Sequence, residues 1–187
     1  WLLRNHEVDA RWCLIHCTQL ETQETERLAR SGAIVGLCPI TESSLGDGIF
    51  DGVRFAAAGG RFGIGSDSNV RIALAEELRT LEYSQRLRDR ARAVLATTDR
   101  STGRVLFEMA AMTGAIAAGR PAGAIRKGLL ADLVALDADD LDIVDKTADD
   151  VVDSFVFAGD DRMITAVWAA GRHMVHCGRH ISRQTII

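Results

Sequence analysis

The chain has 187 residues, 47% of them apolar and 26% charged, a balance that suits a soluble globular core and excludes a disordered or fibrous protein. With 22 basic against 26 acidic residues the net charge is −4, and no Lys/Arg stripe interleaves with aromatics, so neither nucleic acid nor an anionic membrane surface is an expected partner. No apolar run of about 18 residues or more occurs, no leader is legible in "WLLRNHEVDARW", and Cys13, Cys17, Cys38 and Cys177 form no C-x-x-C, so reduced thiols in a cytoplasmic protein are expected.

In chain order, "RWCLIHC" (residues 11–17) reads as a β run. "TQLETQETERLARSG" then carries helix start and stop signals, with Thr22 as the expected N-cap and Gly32 as the stop. "AIVGLCP" (33–39) reads as a second buried strand ended by a proline, and "ITESSLGDGIFDG" as a polar loop. After the short apolar segment "VRFAAAGG", "RFGIGSDSN" (61–69) reads as a third strand with an aspartate at its end. In that strand Gly63, Gly65 and Asp67 would share one face, leaving it nearly bare.

Two helices are expected next. In the first, Leu74, Leu78 and Leu81 keep helical spacing and Glu82 pairs with Arg86; in the second, Leu106, Met109, Ala110 and Thr113 keep a 3.6-residue period. Beyond Pro121 the composition shifts to short β runs punctuated by glycine, which places a boundary between residues 1–120 and 121–187. The alternation of strand and helix before that boundary implies an α/β fold with parallel strands. About three strands cannot close a barrel, so the chain reads as the later part of a larger domain.

Two residues stand where loops at strand ends build active sites: His16 after the first strand and Asp67 after the third. An imidazole and a carboxylate in such places suit metal-assisted hydrolysis, the carboxylate ligating an ion and taking a proton from water. The structural readings stand beside this: a hydrogen-bonded histidine, and an aspartate capping the following helix. His173, His176, Cys177 and His180 are the densest group of potential ligands. In a regular strand His173 and His176 point to opposite faces, so a hairpin turning at Ala170-Gly171-Arg172 with surface histidines is expected. "GGRFGIG" lacks the order of a dinucleotide-binding turn, and no G-x-S-x-G elbow exists.

"CLIHCTQL", "GAIVGLCPITESSLGDGIF", "GIGSDSN", "GAIRKGLLADLVALD" and "AVWAAGRHMVHCGRH" together resemble the deaminase branch of the amidohydrolase superfamily. The resemblance implies the later part of a metal-dependent (β/α)8 barrel followed by strands of a small β-sandwich. It implies one divalent metal ion, zinc or alternatively iron, and a homodimer acting on a small-molecule substrate. By motif, Asp67 matches the family's eighth-strand metal ligand and proton acceptor, and His16 its sixth-strand histidine beside the attacking water. Gly63 and Gly65 would then keep the barrel interior open.

Thr41-Glu42 stands where most heterocycle deaminases of the branch have Ser-Asn. That variant is similar to enzymes of histidine breakdown that hydrolyse N-formimidoyl-L-glutamate to N-formyl-L-glutamate and ammonia. A deaminase of guanine or a related heterocycle is the alternative, as is a non-catalytic segment. The family's first-strand His-x-His pair and fifth-strand histidine have no counterpart here, so these residues alone are expected neither to bind metal tightly nor to turn over. Glu42 is expected either to touch substrate or to cap backbone amides of its loop.

Overall fold

A computed structural model describes residues 1–186. After a short helix α1 (Leu2–Asn5), strand β1 (Cys13–Ile15) leads through α2 (Thr22–Ser31) to β2 (Ile34–Leu37). Two short helices, α3 (Pro39–Leu45) and α4 (Gly52–Ala57), connect to β3 (Arg61–Ile64), which is followed by α5 (Leu74–Asp89) and α6 (Thr102–Ala117). The rest holds β4 (Leu133–Leu136), α7 (Asp149–Phe157), β5 (Ile164–Ala169), β6 (Arg172–His176), β7 (Arg179–His180) and α8 (Arg183–Ile186).

The first three strands form a parallel sheet in chain order, with Cys13 opposite Ile34 and Val35 opposite Phe62. The last four form an antiparallel sheet in order β4-β5-β6-β7. Parallel neighbours require helical crossovers, and α2 and the α3–α4 pair supply them. One face of the parallel sheet, through Leu14, Val35, Leu37, Phe62 and Ile64, packs on Leu28, Phe55, Leu78, Leu81 and Leu106 of the helices. Each such fully buried side chain contributes about 1.5–3 kcal/mol. The opposite face at β1 is open, with Ile15 54% exposed.

Several local expectations are corrected. Helix α2 is capped by Glu21, not Thr22, because Glu21 and Glu24 exchange side-chain to backbone hydrogen bonds in a capping box. Gly32 ends it in the left-handed region, as expected. The segment expected as a polar loop begins as α3, where Pro39 occupies the first turn without wasting an amide and Gly46 closes the helix at φ 72°. Gly63 does not hold a barrel interior open: α6 runs so close that a Cβ there would lie 3.3 Å from Cα of Gly114.

The expectation of β runs alone after residue 121 missed α7, whose Val151, Phe155 and Val156 bury against the helices of the parallel sheet. Arg79 of α5 fastens the end of α7, donating from Nε to the Val156 carbonyl at 2.8 Å and from Nη2 to the Gly159 carbonyl at 2.6 Å. A cation on the last carbonyls of a helix is favourable twice over, as donor and against the dipole.

The hairpin between β5 and β6 turns where expected, at Ala170 and Gly171. His173 and His176, however, share a face, with ring centroids 5.2 Å apart. Met174 is an extra residue in β6: Val175 pairs with Val167 and His173 with Trp168, and that bulge flips the alternation. His173 consequently stacks on Trp168 at 4.7 Å.

Arg79→Met should cost about 1.5–3 kcal/mol through the lost charged hydrogen bonds, while the exposed control Arg92→Met stays within about 0.5 kcal/mol. Urea unfolding of both variants reads the difference.

Candidate active site

His16 and Asp67 each stand just past the C-terminal end of a parallel strand, and both adopt left-handed backbone, at φ 66° and 52°. His and Asp enter that region more readily than most residues, though at a cost of about 1 kcal/mol or more. His16 is locked there from both sides. Its amide extends the sheet ladder to the Gly36 carbonyl at 2.8 Å, and the Cys17 amide returns to the Ile15 carbonyl at 2.9 Å, closing a three-residue turn around it. Asp67 follows Gly65, whose amide makes the equivalent ladder bond to Leu37. The helix after Asp67 begins only at Leu74 with Ala73 as its cap, so Asp67 is not a helix cap.

The two side chains meet. His16 Nε2 lies 3.9 Å from Asp67 Oδ2, beyond hydrogen-bond distance, and both are more than a third exposed on the same open edge. At the other ring nitrogen, Nδ1 lies 3.2 Å from Oε1 of Glu42 in α3. A carboxylate there accepts from Nδ1–H, which leaves the Nε2 lone pair facing Asp67.

Of the two roles expected of Glu42, the structure shows the capping of a backbone amide, and it adds a contact with His16 that was not expected. The same Oε1 that meets His16 accepts from the Cys38 amide at 2.8 Å, capping α3, so one buried carboxylate both starts a helix and orients the histidine. Thr41 beside it donates to the Ser66 carbonyl at 3.3 Å, and Asn69 reaches the hydroxyls of Thr41 and Ser44 at 3.5 Å. These bonds tie the loop carrying Asp67 to α3.

Behind Glu42 lies a residue the sequence reading passed over. Glu77 in the first turn of α5 is 1% exposed and accepts from the Ile40 amide at 2.9 Å. Burial is the main force raising its carboxyl from the usual 4.5 to about 7; the Ile40 bond opposes this and the charge of Glu42 adds to it. The signal was present in the spacing, since Glu77 falls on the same helical stripe as Leu74, Leu78 and Leu81. Burial, with Glu42 as the next cause, likewise pushes the thiols of Cys17 and Cys38 up to about 11, which makes both poor nucleophiles near neutral pH.

Among the described residues no three His, Cys, Asp or Glu side chains converge as a metal site. His16 and Asp67 present one imidazole nitrogen and one carboxylate to a common space, donor types that would suit zinc or iron if further ligands came from outside these residues. His173 and His176 meet each other but lie in the antiparallel sheet with Trp168, and His180 instead accepts from the Ser182 amide.

This α/β arrangement with polar groups at the strand ends defines a class. Residues 2–174 match the amidohydrolase family, and the chain belongs to it. More particularly, it is 47% identical over 185 residues to the formimidoylglutamate deiminase of Pseudomonas aeruginosa, covering 98% of this chain and 41% of that protein. A crystal structure of an amidohydrolase from Brucella melitensis superposes with a TM-score of 0.91 at 49% identity, over 99% of this chain and 41% of the other. An adenosine deaminase from Xanthomonas campestris with bound zinc superposes at 0.83 and 25% identity, over 96% of this chain and 40% of that one. The chain thus spans about two fifths of the length of the relatives it matches. The expected fold class, the later part of an α/β barrel followed by strands of a small β-sandwich, agrees with the parallel and antiparallel sheets of this chain and its superposition on amidohydrolases.

The raised carboxyl of Glu77 has a consequence for stability. Between about 4.5 and about 7 the native state holds the proton that the unfolded state has released, so its contribution to stability falls as pH rises through that window. Glu77→Gln has no proton to lose. Its stability relative to the native sequence should rise across the same window and level off above it, as read by urea unfolding at a series of pH values.

Proposed function

We propose that the protein to which these residues belong catalyses the hydrolysis of N-formimidoyl-L-glutamate to N-formyl-L-glutamate and ammonia, a step of histidine breakdown in the cytoplasm. The observation that carries the reading is the approach of His16 Nε2 to within 3.9 Å of Asp67 Oδ2 at the ends of two parallel strands. The Thr41-Glu42 pair and the 47% identical deiminase support the choice of substrate. That no helix among the described residues is long and apolar enough to cross a membrane is compatible with the assigned compartment.

In this reading Asp67 would hold one divalent ion, zinc or iron, with donors from outside these residues, and the ion would supply Lewis-acid activation of water and of the amidine nitrogen. The chain's own residues handle the protons. Water adds to the formimidoyl carbon, losing a proton to the carboxylate of Asp67. His16, its Nδ1–H held by Glu42, offers its Nε2 lone pair to the same water and shares in that transfer. The proton passes on to the terminal nitrogen; the second proton of the water, left on the new hydroxyl, follows it through Asp67 and His16 as the bond from carbon to that nitrogen breaks, and ammonia departs. The carbon keeps the oxygen of water, so amidine plus water becomes formamide plus ammonia with every atom placed.

The superposition on an adenosine deaminase favours one competing reading, a deaminase of an aminated heterocycle. Ammonia release by the full-length protein, with N-formimidoyl-L-glutamate, guanine and adenosine offered in parallel, separates the two. Turnover should be confined to N-formimidoyl-L-glutamate and should drop at least about a hundredfold in Asp67→Asn, which keeps the shape but loses the proton acceptor. Release from a heterocycle alone would replace the substrate, and full activity in Asp67→Asn would remove the carboxylate from the chemistry.

A further inference from the structure

Glu77 behaves unlike its neighbour. Glu76, the preceding residue, turns outward to Arg71, as a first-turn glutamate near a helix N-terminus normally does. Glu77 turns inward, and its Oε1 is buried without a hydrogen-bond partner. No basic side chain is paired with it among the described residues; the charged or titratable groups around it are Glu42 of α3, Glu76 of its own helix and Cys38. A buried carboxyl that spends one oxygen on another helix and leaves the other unpaired is poor design for stability alone.

Its one bond explains what it does. Ile40 is the second residue of α3, after Pro39, which has no amide to place. The N-terminal turn of this seven-residue helix is therefore held by two carboxylates: Glu42 on the Cys38 amide and Glu77 on the Ile40 amide. Glu42 in turn meets Nδ1 of His16. The chain of contacts runs from α5 through α3 to the imidazole, and only its last member faces the open edge.

We propose that Glu77 is a positioning residue of the site: bound to the Ile40 amide, it fixes the first turn of α3 and with it the Glu42 carboxylate that keeps the proton on Nδ1 of His16. Its role rests on the reading of His16 as a residue of the reaction. Glu77 touches neither water nor substrate.

The test is nitrogen-15 NMR of the histidine side chains in the full-length protein at about pH 8, where a free imidazole is neutral, with His16→Gln assigning the signal. In the native protein His16 should show the Nδ1–H tautomer. Glu77→Leu should move its population toward Nε2–H, while Glu77→Gln, which keeps an oxygen for Ile40, should retain the native signal.

Ammonia release gives the second readout. In Glu77→Leu kcat should fall about tenfold with KM within about twofold, and adding Glu42→Leu to that variant should lower kcat no further than Glu42→Leu alone. A folded Glu77→Leu protein with native His16 signals overturns the proposal, as do losses that multiply in the double variant. Where the leucine variant does not fold, Glu77→Asp, which withdraws the acceptor by about one carbon–carbon bond, is judged by the same criteria. A native protein that releases no ammonia from N-formimidoyl-L-glutamate defeats the substrate reading and leaves the tautomer measurement to decide on Glu77.

Discussion

The alignment of three short parallel strands is the constraint on which everything else depends. Parallel pairing in the order β1-β2-β3 puts all three C-terminal ends on one edge, but it also separates β1 from β3 by two strand spacings, about 9.6 Å. His16 and Asp67 nonetheless come within 3.9 Å. The gap is closed by the backbone: both residues leave their strands in left-handed conformation, so their side chains lean across the end of β2. The strain of those two positions is sustained by ladder bonds from His16 to Gly36 and from Gly65 to Leu37.

Helix α3 occupies the ground directly after β2, between the two converging residues, and its anchoring is electrostatic. Two buried glutamates serve its first amides, and one of them also holds the imidazole. Hydroxyls of Thr41 and Ser44 on the same helix bind the loop that presents Asp67. A seven-residue helix is too short to be stable by its own propensity, so its position reports the contacts made by its side chains. The apolar packing of Phe55, Phe62, Leu78 and Leu106 joins α4, β3, α5 and α6 in one core.

Much of this was legible in the sequence because the signals were local and periodic. The β runs around Leu14, Val35 and Phe62 were recognisable from apolar runs bounded by glycine and proline, and α5 and α6 from their leucine and methionine spacing. The pairing of His16 with Asp67 followed from their equivalent places at two strand ends. What escaped depended on partners distant in sequence. Residues 40–45 read as the start of a loop because Thr and Ser recur in them and Gly46 and Gly48 follow, and the tertiary reach of Glu77 to the Ile40 amide, which helps to hold them as a helix, leaves no trace in that local pattern. Glu77 itself was passed over, although it shares the helical stripe of Leu74, Leu78 and Leu81. The shared face of His173 and His176 was hidden by a one-residue bulge at Met174, which no alternation pattern reveals.

The central claim is that the ends of β1 and β3 form one metal-assisted hydrolytic centre. Anomalous diffraction from crystals of the full-length protein grown with zinc tests it most directly. The account predicts a peak about 2.0–2.2 Å from a carboxylate oxygen of Asp67, beside the ring of His16. A sole peak elsewhere, such as on His173 and His176, with Asp67 free of metal, would contradict it.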